Sequence, residues 1–347
     1  MNPTNKKNPV HLLFIILGLL LIIFFVADLL LGSIIIPFKQ VLFSFISPAK
    51  ADESFKTIIL DFRLPKAVTA ILTGAALSLS GLQMQTVFRN PLAGPYVLGI
   101  SSGASLGVAL FVMGFSSAAG LMIFSISGAL SLALVAWSGA FAVMLLVLYV
   151  SVRVKDIMTI LILGILFSSG VTAIVTILQY FSHESLLKAF IIWTMGSLGS
   201  VTLSQLKVMT PAVIAGIILA FVKIKDLNAF LLGENYARSI GVSVIRSRIF
   251  IFFSTSLLAG TITAFCGPVG FIGIAVPHIC RVIFKTANHL VLVPAVIISG
   301  SIVMLFSDIV SQLPGIPTTL PVNSVTALIG IPVIIWMIVK NRKFAAL

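Results

Sequence analysis

Charged residues are scarce in this chain. Only 9% of its 347 residues are charged, whereas 59% are hydrophobic and the mean hydropathy is +1.20. A soluble globular domain carries about 25% charged residues, so the composition excludes that class of protein. The apolar runs are about 20 residues long and lack the alternation of barrel strands, which is typical of membrane-spanning helices. The sequence therefore predicts an all-α integral membrane protein.

Cysteine and the common catalytic motifs are also rare or absent. Cys266 and Cys280 are the only cysteines, and they lack the spacing of a metal or redox motif, so we expect small buried side chains and no disulfide framework. The sequence contains no GxxxxGK(S/T) phosphate loop, no HExxH or GxSxG motif and no cluster of carboxylates. We therefore expect no enzymatic activity, no metal site and no cofactor.

Acidic residues are fewer than basic ones, with 9 Asp and Glu against 22 Lys and Arg, which gives a net charge of +13. The basic residues lie in short loops between apolar runs, so they indicate membrane topology rather than nucleic-acid binding. With the N-terminus in the cytoplasm, 15 of the 22 fall inside and 7 outside. The first run is too long for a signal-peptide core. We therefore expect a retained anchor, with both termini cytoplasmic.

The apolar runs predict ten membrane spans. They lie near residues 10–31, 64–86, 95–114, 121–150, 157–181, 202–222, 248–266, 270–284, 290–309 and 322–339. Five spans in each half place the halves in opposite orientations, which is the geometry of an inverted repeat. We expect one permease domain over 1–347, with halves of about 1–190 and 191–347. The overlong fourth span predicts a tilted helix and the short eighth span a partly broken one.

A Gly- and Pro-rich break follows the second span of each half, at RNPLAGP (89–95) and at CGPVGFIGIAVPHICR (266–281). In the first break, Pro91 disfavours helical geometry at Asn90, and Pro95 can begin the next helix. Gly99, Gly103 and Gly107 then recur four residues apart. Such spacing predicts a helix face on which neighbouring backbones approach closely, whether for simple packing or beside a transport path.

Two polar segments differ from the rest of the chain. The segment 226–248 contains Gly233 and Gly241 among apolar and charged residues, which predicts two very short helices with glycine breaks. Helices this short need a docking surface, either lipid headgroups or a cytosolic partner. The segment LDFRLPKAV (60–68) predicts an outer loop in which Arg63 and Lys66 flank a helix start at Leu64–Pro65, either for a specific contact or as a simple solvated loop. Asp28 and Asp308 lie near span ends, where snorkelling or a water-lined cavity would accommodate an acid.

Six motifs in order carry a resemblance to a known family. They are RLPK (63–66), GAALSLSGLQMQTVFRNPLAGPYVLGISSGAS (74–105), WTMGSL (193–198), LLGENYARSIGV (231–242), GPVGFIGIAVPHICR (267–281) and LPVNSVTALIGIPVIIW (320–336). From about Phe55 to Lys340 the chain resembles the FecCD family, the permeases of bacterial ATP-binding-cassette (ABC) importers for iron-siderophores, haem and cobalamin.

The resemblance implies the fold of cobalamin-importer permeases, a homodimer in the bacterial inner membrane, two cytosolic ATPase subunits and an extracytoplasmic binding protein. It also implies roles for individual residues. Arg63 and Lys66 would dock the binding protein, although Gln312 stands where relatives often have another docking Arg. The re-entering helix beside the path would include Asn90, Pro91, Gly99, Gly103 and Gly107. The contacts with the ATPase would be made by Leu231, Gly233, Glu234, Ala237, Arg238, Gly241 and Val242.

The alternative function is an ion-coupled secondary transporter, which would also show inverted repeats and broken helices. Such a protein needs intramembrane acids, and only Asp28 and Asp308 qualify. A purely structural membrane protein is a third class, which the coupling-like segment disfavours. Among cargoes, we expect an iron(III)-siderophore ahead of haem or cobalamin.

Overall fold

The computed structural model describes residues 9–114, 118–154, 156–312 and 319–340, and within these ranges the regular structure is helical without a β-strand. Its α-helices are α1 Pro9–Leu30, α2 Phe38–Ile46, α3 Glu53–Thr57, α4 Leu64–Val87, α5 Ile100–Ala109, α6 Ala118–Arg153, α7 Ile157–Tyr180, α8 Glu184–Thr194, α9 Leu203–Val222, α10 Ile224–Leu231, α11 Glu234–Ser239, α12 Val244–Cys266, α13 Ile272–Phe284, α14 His289–Ser311 and α15 Val322–Lys340. The all-α prediction is confirmed.

Eight helices in the described part of the chain are long and apolar enough to cross a membrane. Two shorter apolar helices, Ile100–Gly114 and Ile272–Phe284, coincide with the third and eighth predicted spans. Both helices follow a Gly/Pro break. Because proline interrupts helical hydrogen bonding there, these helices are too short to be full-length spans. The count of ten spans and the inverted relation of the halves stay predictions. The fourth predicted span is a helix of 36 residues.

The two most buried spans are α4 and α12, whose apolar windows are 83% and 78% buried. A polar contact joins them inside the bundle. Gln83 of α4 donates its amide to Ser254 Oγ over 3.0 Å and accepts the hydroxyl proton of Thr255 over 3.0 Å. Because an unpaired amide would be costly in the bilayer, this reciprocal pairing fixes the register of the two helices.

Glycine allows α4 to meet its other neighbours backbone to backbone. A Cβ at Gly74 would overlap the carbonyl group of Gly300 in α14, and a Cβ at Gly81 would overlap that of Gly273 in α13. Van der Waals packing drives helix association in lipid, so small residues at the crossings let the helices approach more closely than larger ones would. The buried position of α4 therefore depends on these glycines.

The structure differs from the sequence-based prediction on the outer side. The second span was predicted to begin at residue 64, but the helical path begins at Glu53 and continues through a π-helical turn, Ile58–Arg63, into α4. The short helices α2, α3 and α8 were not predicted, because none contains an apolar run of spanning length. The predicted burial of Cys266 and Cys280 as free thiols is confirmed.

Some topology signals lie outside the described residues: Lys6, Lys7, Lys155, Arg342 and Lys343. The cytoplasmic position of both termini therefore stays a prediction.

Substitution at the α4–α13 crossing tests this packing. We expect Gly81→Ala to lower the stability of the folded chain by at least about 3 kcal/mol, because the new methyl group meets a backbone carbonyl that has no rotamer to yield. Thermal unfolding in detergent is the measurement. Gly18→Ala in α1, where a Cβ meets nothing within 4 Å, is the matched control. A Gly81→Ala melting temperature equal to that of the control would contradict the packing.

Candidate functional site

The segment predicted to couple the chain to a partner forms two short helices, as expected. Helices α10 and α11 are separated by Gly233, whose φ is +101°, and α11 is followed by Gly241 with φ +87°. These angles suit glycine because a Cβ would crowd the backbone there. Both breaks are therefore set by the sequence itself.

Ion pairs hold this segment against the start of α12. Glu234 at the first turn of α11 pairs with the guanidinium of Arg248, which is buried. Asp226 in α10 accepts bonds from Lys223 Nζ over 2.8 Å and from Ser247 Oγ over 2.6 Å. A short helix is marginal alone, so these contacts with α12 make the segment part of the membrane body. Their extent disfavours the alternative of a turn lying only on headgroups.

A second set of hydrogen bonds connects α10 to α4 through α14. The imidazole of His289 is fully buried. Its Nδ1 lies 2.8 Å from Asn228 Oδ1, and its Nε2 lies 2.8 Å from Thr86 Oγ1. An amide oxygen only accepts, so Nδ1 carries the proton and Nε2 accepts from the threonine hydroxyl. Sequence reasoning missed this link, because its members are distant in the chain.

Three exposed apolar side chains lie on and beside α11. Leu232, Tyr236 and Ile240 are spaced four residues apart and are 64%, 48% and 55% exposed. Leu232 precedes the Gly233 break and Ile240 follows the last residue of α11. Asn235, Arg238 and Ser239 are exposed between them, so a partner would meet a mixed polar and apolar surface. The sequence-based list named neighbours of the three apolar residues instead. Ala237 is fully buried and faces the body, so its assignment to the contact with a partner is corrected.

The remaining residues of that list are divided between the two sides. Arg238 is exposed, Leu231 and Val242 are partly buried, and Gly233 is buried beside the side chain of Arg89. Gly241 is exposed with open space around its Cα. Of these residues, Arg238 and Gly241 are the ones most accessible to a partner.

The RNPLAGP break ends α4 in an ordered turn. Asn90 N–H donates to Gln85 O and Arg89 N–H to Thr86 O, which is the Schellman pattern of a helix C-terminus. Arg89 takes the left-handed position at φ +47°, where glycine is more usual. The side chain of Asn90 then accepts from Leu92 N–H over 2.9 Å, which fixes the turn that precedes Pro95.

The small-residue stripe packs as a close contact surface. A Cβ at Gly103 or Gly107 would overlap backbone oxygens of α6, at Gly139 and Val135 respectively. Gly99, however, is not part of the helix. It has φ +73° and stands between the 3₁₀ turn Pro95–Leu98 and α5, so its expected place on the helix face is corrected: it is the left-handed break.

The loop predicted at Arg63 is wrong, because Arg63 ends the π-helical turn Ile58–Arg63. Lys66 lies in α4, which begins at Leu64 as predicted. The guanidinium of Arg63 is buried and donates to the carbonyls of Leu29, over 2.7 Å, and Ile34. Lys66 Nζ lies 3.0 Å from Asp308 Oδ1. A helical register turns these side chains inward, whereas a loop would have left them in water.

Asp28 and Asp308 complete this outer cluster. Both carboxyl groups are buried and adjacent, so neither reaches water by snorkelling. Gln312 Nε2 donates to Asp308 Oδ2 over 2.7 Å. A Cβ at Gly32 would lie 2.8 Å from both Arg63 Nη2 and Gln312 Oε1, so glycine leaves the room for the two side chains. The docking role of Arg63 and Lys66 stays a prediction, and their burial favours an internal role.

These features fit a membrane transport permease with a docked pair of short helices. Residues 20–340 match the FecCD transport family. The chain belongs to this family and is a multi-pass permease of the ABC importer class. Within the described ranges, no three His, Cys, Asp or Glu side chains come together to hold a metal ion.

Similar proteins agree with the assignment to the ABC importer permeases. The chain is 32% identical to the hemin transport system permease HmuU of Yersinia pestis, over 95% of this chain and 96% of that one. It is 34% identical to the vitamin B12 import permease BtuC of Salmonella typhi, over 82% and 84%. A solved metal-chelate type ABC transporter in an inward-facing conformation superposes with a TM-score of 0.80 at 28% identity, over 95% and 99%. These relatives disfavour an ion-coupled secondary transporter.

The Lys66–Asp308 pair provides a test of the internal role. We expect Lys66→Met alone to destabilise the chain by about 3 kcal/mol, because it leaves a carboxylate buried without its cation. The double variant Lys66→Met/Asp308→Leu should recover most of that loss. Thermal unfolding of the two single variants and the double variant gives the coupling free energy. Single variants as stable as the unchanged chain would show that the pair is not structural.

Proposed function

We propose that this chain is the membrane-spanning subunit of a binding-protein-dependent importer that moves an iron(III)-siderophore across the cytoplasmic membrane, with haem and cobalamin as the other cargo classes. The relatives support a chelated metal as cargo, since their names specify hemin, vitamin B12 and a metal chelate. Transport proceeds by alternating access, in which bundles of helices move against each other and open the path to one side of the membrane at a time.

The observation that carries this proposal is the docked helix pair α10–α11 with exposed apolar side chains among its polar ones. Leu232, Tyr236 and Ile240 offer a partner three exposed apolar side chains. On the other side, Glu234 and Asn228 tie the same helices to α12 and α14. A movement of the bound partner is therefore transmitted to the membrane helices through these contacts. A cytosolic ATPase subunit is the partner that such a surface fits.

The assembly has further members. We propose that two copies of the chain form the path, that each binds one ATPase subunit, and that a binding protein delivers cargo outside. We also propose one permease domain over 1–347, with halves of about 1–190 and 191–347 and with both termini in the cytoplasm. The exposed lysines Lys39 and Lys50 on the outer side are better placed than the buried Arg63 for contact with an acidic binding protein.

Reconstitution tests the function directly. The chain is placed in liposomes with its ATPase and binding protein, and uptake of radiolabelled ferric siderophore, haem and cobalamin is compared. We expect uptake that requires ATP on the ATPase side, stops with vanadate and continues with an ionophore present. Uptake that is abolished by the ionophore and indifferent to ATP would assign the chain to the secondary transporters.

Gly241 tests the coupling role. We expect Gly241→Val to reduce ATP-driven uptake about tenfold while the chain still inserts, because a β-branched residue at φ +87° strains the turn by about 1–3 kcal/mol. Gly170→Val is the matched control, since it adds the same side chain in open space at a helical glycine of α7. Equal uptake by the two variants would contradict a coupling role for this turn.

A further inference from the structure

A cavity of about 450 Å³ opens at the predicted cytoplasmic end of the chain, between the end of α4 and the α13–α14 turn. Three cationic residues line it, Arg89, Arg281 and Lys285, together with Leu231, Val282 and Thr286. The proposed transport cycle makes no use of this cavity. Its size is in the range of small-molecule binding sites.

The three cations have no internal counter-charge. All nine acidic residues of the chain lie within the described ranges, and the ion pairs that they make within 4.0 Å use other bases. Arg281 donates to the neutral amide oxygen of Gln85. Clustered positive charges without a partner repel one another and attract an anion from outside. The cavity therefore has the electrostatics of an anion site.

The backbone places these side chains around the cavity. Arg89 and Lys285 both occupy the left-handed region, at φ +47° and +48°. Each is the residue that turns the chain at the end of its helix, α4 or α13, and both line the cavity. Arg89 Nη1 would lie 3.6 Å from a Cβ at Gly233, so the guanidinium lies beside the start of α11.

The surface next to the cavity is apolar. Val282 and Ile283, on the last turn of α13, are 44% and 45% exposed. A basic pocket at the membrane boundary that continues into exposed apolar side chains matches a molecule with an anionic head and a hydrocarbon tail. A carboxylate from a soluble protein would satisfy the charges but leave the apolar turn without a partner.

We propose that this cavity binds the phosphate group of an anionic phospholipid, such as phosphatidylglycerol, with Arg89, Arg281 and Lys285 around the phosphate and the acyl chains along Val282 and Ile283. The lipid would stabilise the junction of α4, α13 and the coupling segment.

Native mass spectrometry of the full chain, with equal amounts of phosphatidylglycerol and phosphatidylcholine, tests the proposal. We expect the unchanged chain to retain phosphatidylglycerol preferentially. Arg89→Gln/Lys285→Gln should lower that preference about 25-fold, since each basic residue near an anionic lipid contributes about a factor of five. The charge-retaining Arg89→Lys/Lys285→Arg should keep the preference, which separates charge from folding.

The matched control is Lys225→Gln/Arg246→Gln, which removes the same charge from two exposed positions outside the cavity. An equal loss of preference in this control would overturn the proposal, because it would indicate general surface attraction. Full competition by inorganic phosphate would also overturn it in favour of a free-anion site. Unchanged lipid preference in Arg89→Gln/Lys285→Gln, with weaker binding of the ATPase subunit, would assign the cavity to a carboxylate of that subunit.

Discussion

The contact on which the rest of the structure depends is the crossing of α4 over α13 and α14 without side chains between the backbones. At Gly81 and Gly273, and at Gly74 and Gly300, any larger residue would separate the helices. In a bilayer there is no hydrophobic effect between helices to replace this packing. Helix α4 is therefore held against α13 and α14 by direct backbone contact.

The coupling segment is connected to α4 by polar contacts. Thr86 on α4, His289 on α14 and Asn228 on α10 form a continuous hydrogen-bonded path inside the protein. Buried bonds of this kind are costly to leave unmade, so α10 and the end of α4 must move together or lose them. This arrangement gives an ATPase bound outside α11 a mechanical route to the membrane helices.

Sequence patterns predicted the features that depend only on residues close together in the chain. Apolar runs located the spans, prolines and glycines located the breaks, and Gly233 and Gly241 located the short helices. The inward orientation of Arg63 and Lys66 was not predictable, because it depends on Asp308 and on the carbonyl of Leu29, which approach only in the folded chain. The same reason hid His289 and Asn228. Residues named from the family pattern, such as Ala237, needed the fold to show which side they face.

The ratio of cargo imported to ATP hydrolysed, measured for Asn228→Leu in the complete reconstituted importer, tests the central claim most directly. The substitution keeps the size of the side chain and removes its bonds to His289 and Asn288. Our account predicts that ATP hydrolysis continues near its normal rate while cargo moved per ATP falls about tenfold. An unchanged ratio in a well-folded variant would show that the coupling segment does not act through this path.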